Sequence, residues 1–193
     1  LFTSLRAMRE AHALIEAGLR SRGLDFPVLL QGDGSRTALL ARFRELGNAV
    51  LVGSQSFWEG VDVRGPTLSL VMIDRVPFAP PDDPVLTARI ERINAAGGNA
   101  FMDYQLPHAV ILLKQGAGRL IRDENDRGVL MICDPRLISK PYGRRVWQSL
   151  PPMRRTRVLA EVTEFLTSLD GPARSGEAVD AAGSGAGEEL PAE

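Results

Sequence analysis

The sequence predicts an α/β domain with a mostly parallel sheet and helices on both faces of that sheet. Short apolar runs of strand length alternate with segments whose apolar residues recur at helical spacing, which is typical of this fold class. Apolar residues make up 44% of the chain, which is enough for a core. Ligands of such sheets bind where the strands end, so we expect functional residues in the loops after Thr3, Leu30, Gly53 and Ile73.

The first half of the chain gives three strands and two helices. Residues 1–3 have the pattern of a strand end, and residues 28–30 and 49–52 are short apolar runs. Ser4 is a typical N-cap for a helix that reaches residue 22, and Ser35 is a typical N-cap for a helix that reaches residue 45. The apolar residues of the first helix recur at helical spacing: Leu5, Met8, Ile15 and Leu19.

The second half gives two strands, at residues 68–73 and 129–133, and a proline-rich loop at residues 77–84. Helices are predicted at residues 84–95, 99–113, 139–148 and 152–169. Cys133 lies in the last apolar run, so we expect it in the core. Because it is the only cysteine, it excludes an internal disulfide and a four-thiolate metal site, and it indicates a reducing, cytoplasmic compartment.

Charge divides the chain into two predicted parts. Residues 171–193 contain one arginine and five acidic residues, so their net charge is −4. Because the net charge of the whole chain is −1, residues 1–170 have a net charge of +3. We expect one domain at residues 1–170 and a disordered, Gly/Ala/Glu-rich acidic tail at residues 171–193. The basic body is compatible with nucleic acid, and no apolar run has the length of a membrane span. Since the chain starts at a strand end, we expect it to be a piece of a longer protein.

The segment Gln115-Gly-Ala-Gly-Arg-Leu-Ile-Arg122 is the first candidate for chemistry. In a helix, Gln115, Arg119 and Arg122 are spaced i, i+4, i+7 and share one face. Two guanidinium groups on one face suit the spread charge of a transferring phosphoryl group. The two glycines would each cost about 1 kcal/mol inside a helix, which indicates a close approach of another backbone or a ligand. The alternative is a solvated helix face with salt bridges.

Two strand ends carry further candidates. The loop after the strand at 49–52 has small polar residues that suit phosphate or sugar contacts: Ser54, Gln55 and Ser56. It continues into Glu59, Gly60 and Asp62, of which Asp62 suits a ribose hydroxyl or an arginine. Phe57 and Trp58 could stack on a base or pack under the loop. Thr3 and Ser4 offer two hydroxyls at a helix start, which suit either a phosphate contact or a plain cap.

The sequence lacks the motifs of a phosphate loop and of a metal site. It has no G-x-x-x-x-G-K-[ST] phosphate loop, and Asp74 is the isolated nearest candidate for a magnesium ligand. His12 and His108 have no Cys or Glu partner at metal spacing, so no metal site is predicted, and we expect His12 to be structural. This chain by itself should therefore neither bind nor hydrolyse ATP well.

Several stretches together resemble the carboxyl-terminal motor domain of the DinG/XPD-like superfamily-two DNA helicases. They occur in the family's order over roughly residues 1–168: Leu1-Phe-Thr-Ser4, Ser56-Phe-Trp-Glu-Gly-Val-Asp62, Pro77-Phe-Ala-Pro-Pro81, Gln115-Gly-Ala-Gly-Arg-Leu-Ile-Arg122, Asp126-Arg127-Gly128 and Asp134-Pro135-Arg136. The set in order is highly specific, whereas the arginine motif alone is only moderately so. One departure is Leu5, where many relatives have an aromatic residue, which weakens a base contact there.

The resemblance implies a RecA-like three-layer fold without its own phosphate loop. ATP and Mg²⁺ would be shared with a preceding amino-terminal motor domain, which would also hold a 4Fe-4S cluster. The implied activity is ATP-driven 5′ to 3′ movement along single-stranded DNA and unwinding of duplex or forked DNA in repair. The implied enzyme is a cytoplasmic monomer without membrane contact.

The resemblance also assigns roles to residues. Arg122 matches the arginine finger on the γ-phosphate, and Arg119, Gln115 and Gly118 match its neighbours on the nucleotide face. Glu59, Gly60 and Asp62 match the loop that couples nucleotide state to DNA grip. Thr3 and Ser4 match a DNA-backbone contact, and Arg136 matches a position near the cleft.

Two other functions stay open from the residues alone. One is a nucleic-acid or partner-binding module that has the helicase fold without catalysis. The other is a small hydrolase that uses Asp62 and Asp74, which leaves the paired glycines and arginines unexplained.

Overall fold

The computed structural model describes residues 1–54, 57, 68–80, 82–118, 120–121 and 126–169. Its strands form two parallel pairs: β1 (Val28–Leu30) lies beside β2 (Val50–Val52), and β3 (Leu70–Ile73) lies beside β4 (Val129–Ile132). Within the described ranges, the predicted strands are confirmed to within two residues at each end.

The first three residues join the two pairs. Phe2 N–H donates to Gly53 O at 2.9 Å and forms a parallel bridge with Ser54. On its other side Leu1 bonds to Met72 O and accepts from Asp74 N–H, which is the pattern of a parallel pair. The predicted strand end therefore lies between β2 and β3, and the carboxyl ends of all these segments lie along one edge.

Seven α-helices are present in the part of the chain that the structure describes: α1 (Leu5–Ser21), α2 (Arg36–Leu46), α3 (Pro84–Ala95), α4 (Leu106–Ala117), α5 (Arg136–Ser139), α6 (Gly143–Ser149) and α7 (Leu159–Leu169). Ser4 and Ser35 cap α1 and α2 as predicted, each accepting a hydrogen bond from the amide three residues on. None of the described helices is both long and apolar enough to cross a membrane.

The core consists of two clusters. In the larger one, Val71 and Ile73 of β3 pack with α4, including Ala109 and Leu113, and with Val146 of α6. The smaller cluster joins β1 to α2 through five buried side chains: Leu29, Leu39, Leu40, Phe43 and Phe57. In both clusters, apolar residues of helices are buried against residues of strands. The predicted α/β class is therefore confirmed.

Three helix predictions differ from the structure. The helix expected at residues 99–113 is a π-helical turn, Phe101–Gln105, followed by α4. Pro107 lies in the first turn of α4 and has no N–H, which fits the change in hydrogen-bond pattern. The helix expected at 139–148 is divided into α5 and α6 around Pro141, since the residue before a proline avoids helical backbone.

The last helix begins at Leu159 and not near residue 152. The segment before it contains three arginines, which would repel one another on a helix, and Arg155 instead donates to Trp147 O at 3.0 Å. Cys133 was expected in the core but is exposed. It lies one residue beyond β4, where its N–H donates to Ile73 O at 2.8 Å, so the buried face ends before it.

Candidate functional site

Polar residues lie side by side where the parallel segments end. Gln31 follows β1, Ser54 lies just beyond β2, Thr3 ends the first segment, and Asp74 follows β3. Neighbouring strands are about 4.8 Å apart, so the four residues span roughly 14 Å along this edge. This row of four residues, which we call the carboxyl edge, brings together the loops that the sequence marked as informative.

Thr3 and Ser4 hold different positions at this edge. Thr3 is half-buried, and its N–H donates to Asp74 Oδ1 at 3.1 Å. Ser4 is exposed, and its Oγ accepts from Ala7 N–H at 3.2 Å as the N-cap of α1. Because that bond uses Oγ only as an acceptor, the Ser4 hydroxyl proton stays available to a phosphate oxygen.

Ser54 makes two hydrogen bonds to one atom of Gln31. Its N–H donates to Gln31 Oε1 at 2.7 Å, and its hydroxyl donates to the same oxygen at 2.9 Å. The hydroxyl proton is therefore committed, and Oγ presents only lone pairs to a ligand. In this arrangement Ser54 is a poor donor to a phosphate, although the sequence suggested that contact.

Asp74 lies at the end of the carboxyl edge that is next to Cys133. Partial burial raises the pKa of the Cys133 thiol above its usual value, and the Asp74 carboxylate raises it further. The sulfur is therefore a neutral thiol near pH 7 and not a nucleophilic thiolate. Asp74 itself bonds to Thr3 N–H, so its visible role is to join the first segment to β3.

Asp134 and Arg136 form a charged pair after β4. Asp134 is buried and accepts from Val76 N–H at 2.9 Å and from Arg136 N–H at 2.9 Å. The Arg136 side chain binds both of its oxygens, at 2.9 Å and 2.6 Å, and its guanidinium lies 5.2 Å from the centroid of the Phe78 ring. Burial by itself would raise the pKa of Asp134. The hydrogen bonds from the Arg136 side chain and the two amides outweigh it, so that pKa is lowered.

The helix predicted over residues 115–122 is wrong beyond its third residue. The helix α4 ends at Ala117, and Gly118 N–H closes its last turn on Lys114 O at 2.8 Å. Leu120 then turns into the core, where it is 4% exposed. Glycine is a poor helix former, and burial of Leu120 draws the chain inward, so the helix stops. Gln115 and Gly118 are both exposed at this helix end.

The other candidates lie outside the described residues. They are Gln55, Ser56, Trp58, Glu59, Gly60, Asp62, Arg119, Arg122 and the tail at 171–193. Phe57 is described and is 5% exposed within the smaller core cluster, which favours the alternative in which this ring packs in the protein and does not stack on a base.

The sequence of this chain is similar to those of known proteins. A family model described as "Helicase C-terminal domain" matches residues 1–153. The chain belongs to this family. This match confirms the resemblance to the carboxyl-terminal domain of DinG/XPD-like helicases that was drawn from the motifs.

Relatives of this helicase C-terminal domain are considerably longer than the chain. It is 59% identical to "ATP-dependent DNA helicase YoaA" of Escherichia coli, with 74% of this chain and 22% of the relative covered. It is 46% identical to "ATP-dependent helicase DinG" of Mycobacterium tuberculosis H37Rv, over 88% of this chain and 25% of the relative. It is 37% identical to "3'-5' exonuclease DinG" of Bacillus subtilis, with 85% of this chain and 17% of the relative covered. The chain thus spans about a quarter or less of these relatives.

A solved structure supports the fold independently. The "XPD_Helicase" structure aligns with a TM-score of 0.52 at 21% identity, covering 80% of this chain and 28% of that chain. At this identity the likeness concerns the fold alone, and it agrees with the parallel strands and flanking helices described above.

Sequence reasoning missed two residues that follow strands, Gln31 and Asp134. Gln31 was assigned to a turn, because nothing in its local pattern shows that Ser54, 23 residues away, would lie beside it. Asp134 was noticed only as part of a family motif. An acidic residue directly after a predicted strand and two residues before an arginine is a signal that could have indicated the pair.

Proposed function

We propose that this chain is the second motor domain of an ATP-dependent 5′ to 3′ DNA helicase that acts in DNA repair. The family match over residues 1–153 carries the proposal. In it, ATP and Mg²⁺ lie between this domain and a preceding motor domain that supplies the phosphate loop. DNA lies along the carboxyl edge, the enzyme is a monomer, and the compartment is the cytoplasm.

The geometry of the edge supports a DNA contact. Ser4 keeps its hydroxyl proton at the start of α1, where the free N–H groups of a first helical turn favour an anion. Asp74 bonds to Thr3 N–H and fixes the strand end that bears Ser4. A phosphate of a single DNA strand fits these donors.

The end of α4 supports the nucleotide contact. Leu120 is anchored in the core, and a Cβ on Gly128 would lie 2.5 Å from Leu120 Cδ1, so Gly128 allows this close packing. In the sequence, Arg119 directly precedes this anchored leucine and Arg122 follows two residues after it. In the proposed roles Arg122 is the finger on the γ-phosphate, and Arg119, Gln115 and Gly118 are its neighbours.

The loop with Glu59, Gly60 and Asp62 couples nucleotide state to DNA grip in this proposal, and Ser54, Gln55 and Ser56 lead into it. Ser54 is anchored by Gln31, so the loop starts from a fixed point. A 4Fe-4S cluster needs four ligands, and this chain has one cysteine, so any cluster must be held outside it and takes no part in the steps considered for this chain.

The test is Arg122→Ala in an enzyme that carries both motor domains. An arginine finger contributes roughly 10³–10⁵-fold to kcat, so the DNA-stimulated ATPase rate should fall by that order while the Kd for single-stranded DNA stays within about twofold. Arg9→Ala is the matched control, because Arg9 is exposed on α1 and lies outside the proposed machinery. It should leave both quantities unchanged.

The outcomes separate the parts of the proposal. A near-normal ATPase rate for Arg122→Ala would remove the finger assignment. No DNA-stimulated ATPase in the unmutated two-domain enzyme would refute the motor and favour the binding module without catalysis. Unwinding of duplexes with a 3′ single-stranded tail but not of those with a 5′ tail would reverse the proposed polarity.

A further inference from the structure

The side-chain amide of Gln31 has a fixed orientation. Gln31 is half-buried, and its Oε1 accepts from both the N–H and the hydroxyl of Ser54. An amide nitrogen cannot accept a hydrogen bond from an N–H, so the oxygen must be the end that faces Ser54. The NH₂ group of Gln31 therefore points away from Ser54.

That NH₂ group is a pair of donors without an acceptor among the residues that the structure describes. It lies at the carboxyl edge, next to the strand end that bears Ser54. Phosphate oxygens are acceptors only, so they match an NH₂ group and do not match the lone pairs that Ser54 Oγ presents. Of the two neighbours, Gln31 is the residue equipped to bind a phosphate.

Arg36 is the arginine nearest to this donor along the chain. It begins α2, five residues after Gln31, and its guanidinium carbon lies 5.8 Å from the centroid of the Phe57 ring. Phe57 N–H in turn donates to Ser54 O at 2.9 Å, so Arg36 contacts the ring of a residue that is bonded to the partner of Gln31. Arg36 forms no ion pair with any residue in the described ranges. Asp33 is the acidic residue of the same loop, and it is exposed.

We propose that Gln31 and Arg36 form a binding site for the phosphate backbone of a DNA strand at the end of β1. The Gln31 NH₂ group donates to a phosphate oxygen, and Arg36 supplies the opposite charge. The site extends the contact at Ser4 along the carboxyl edge, across the ends of the intervening segments. It rests on the proposed DNA-motor function, and it names a contact that the sequence motifs did not include.

The substitution Gln31→Glu separates a direct contact from a positioning role. A glutamate keeps an oxygen that accepts both Ser54 bonds, but it replaces the NH₂ donors with a negative charge. Gln31→Ala removes both properties. Gln148→Glu is the matched control, because it makes the same charge change at an exposed position on α6.

The measurement is the Kd of the two-domain enzyme for a fluorescently labelled single-stranded oligonucleotide, followed by anisotropy. Loss of a hydrogen bond to a charged group weakens binding by about ten- to a hundredfold, so Gln31→Glu should bind at least that much more weakly. The substitution Gln31→Ala should weaken DNA binding no more than Gln31→Glu does. The Kd of Gln148→Glu should equal that of the unmutated enzyme, and the Tm of Gln31→Glu should be unchanged. Inorganic phosphate at matched ionic strength should not displace the oligonucleotide.

Three results would overturn the proposal. If Gln31→Glu binds DNA normally and only Gln31→Ala is weakened, Gln31 acts solely by positioning Ser54. If Gln31→Glu raises the KM for ATP and leaves the Kd for DNA unchanged, the phosphate belongs to the nucleotide. If free phosphate competes fully, the site binds a small anion. Each of these leaves the helicase proposal intact, whereas an unmutated enzyme that binds no DNA would refute both.

Discussion

Replacing Asp134 with alanine should destabilise the domain strongly, because a buried carboxylate there binds four donors. Val76 is 2% exposed, and Asp134→Ala leaves its N–H without the acceptor that it has at 2.9 Å. The N–H of Arg136 loses its acceptor as well. An unsatisfied buried donor costs about 1–3 kcal/mol, and breaking a buried pair by removing one partner costs about 3–5 kcal/mol. The Arg136 side chain is 39% exposed, so water can solvate its charge after the substitution.

The loss therefore comes from the two amides, and we expect the free energy of unfolding to fall by about 2–6 kcal/mol. For a chain of this size each kcal/mol lowers the Tm by roughly 2–4 °C, so the Tm should fall by about 4–24 °C. Urea unfolding of the 193-residue chain can be followed by tryptophan fluorescence, since Trp147 Nε1–H donates to Leu137 O beside this pair. Asp25→Ala removes an exposed aspartate and is the control, with an expected change within about 0.5 kcal/mol.

The pH dependence follows from the direction of the pKa shift. The pKa of Asp134 is lower in the folded state than its usual value of about 3.9, so the carboxylate stabilises the fold above that value. This contribution is lost as the pH falls through the lowered pKa of the folded state. The difference in the free energy of unfolding between the unmutated chain and Asp134→Ala should therefore become smaller below about pH 4. A difference below 1 kcal/mol at pH 7, or one that stays constant down to pH 3, would refute the reasoning.

Two further substitutions test the packing and a helix cap. In Gly143→Ala the added Cβ would lie 2.6 Å from the carbonyl carbon of Leu137 and closer still to its oxygen, so α5 and α6 must separate. Urea unfolding should show a loss of at least about 3 kcal/mol, whereas Gly34→Ala, which meets nothing within 4 Å, should be nearly neutral. Asp83→Ala removes the cap that accepts from the first two amides of α3 at 2.8 Å and 3.1 Å. It should cost about 1 kcal/mol; an equal loss in Asp82→Ala would contradict the capping explanation.

The fold could be predicted because its signals are local. The serines that cap α1 and α2 precede apolar residues at helical spacing, and the strands are short apolar runs, so neither requires knowledge of distant contacts. The ordered motifs then identified the helicase family. Helix ends were less predictable: α4 stops at Ala117 because Leu120 is buried against the core, which is a property of packing.

The candidate site was predicted only in part. The loops that carry it follow from the rule that ligands bind where parallel strands end, and the structure brings Thr3, Ser54 and Asp74 to that edge. The roles of Arg119, Arg122 and the loop at residues 59–62 stay predictions. Which hydroxyl keeps a free proton could not be predicted, because that depends on the partner each oxygen finds.

The sequence by itself determined the α/β class, most of the elements and the family, since these depend on spacing and on motifs within short segments. Only the tertiary structure decided that Gln31 lies against Ser54 and that Asp134 holds Val76 and Arg136. The Gln31–Ser54 and Asp134–Val76 pairs join residues from different strand ends. Their hydrogen bonds exist because the parallel register sets neighbouring carboxyl ends about 4.8 Å apart, and a linear pattern does not contain that distance.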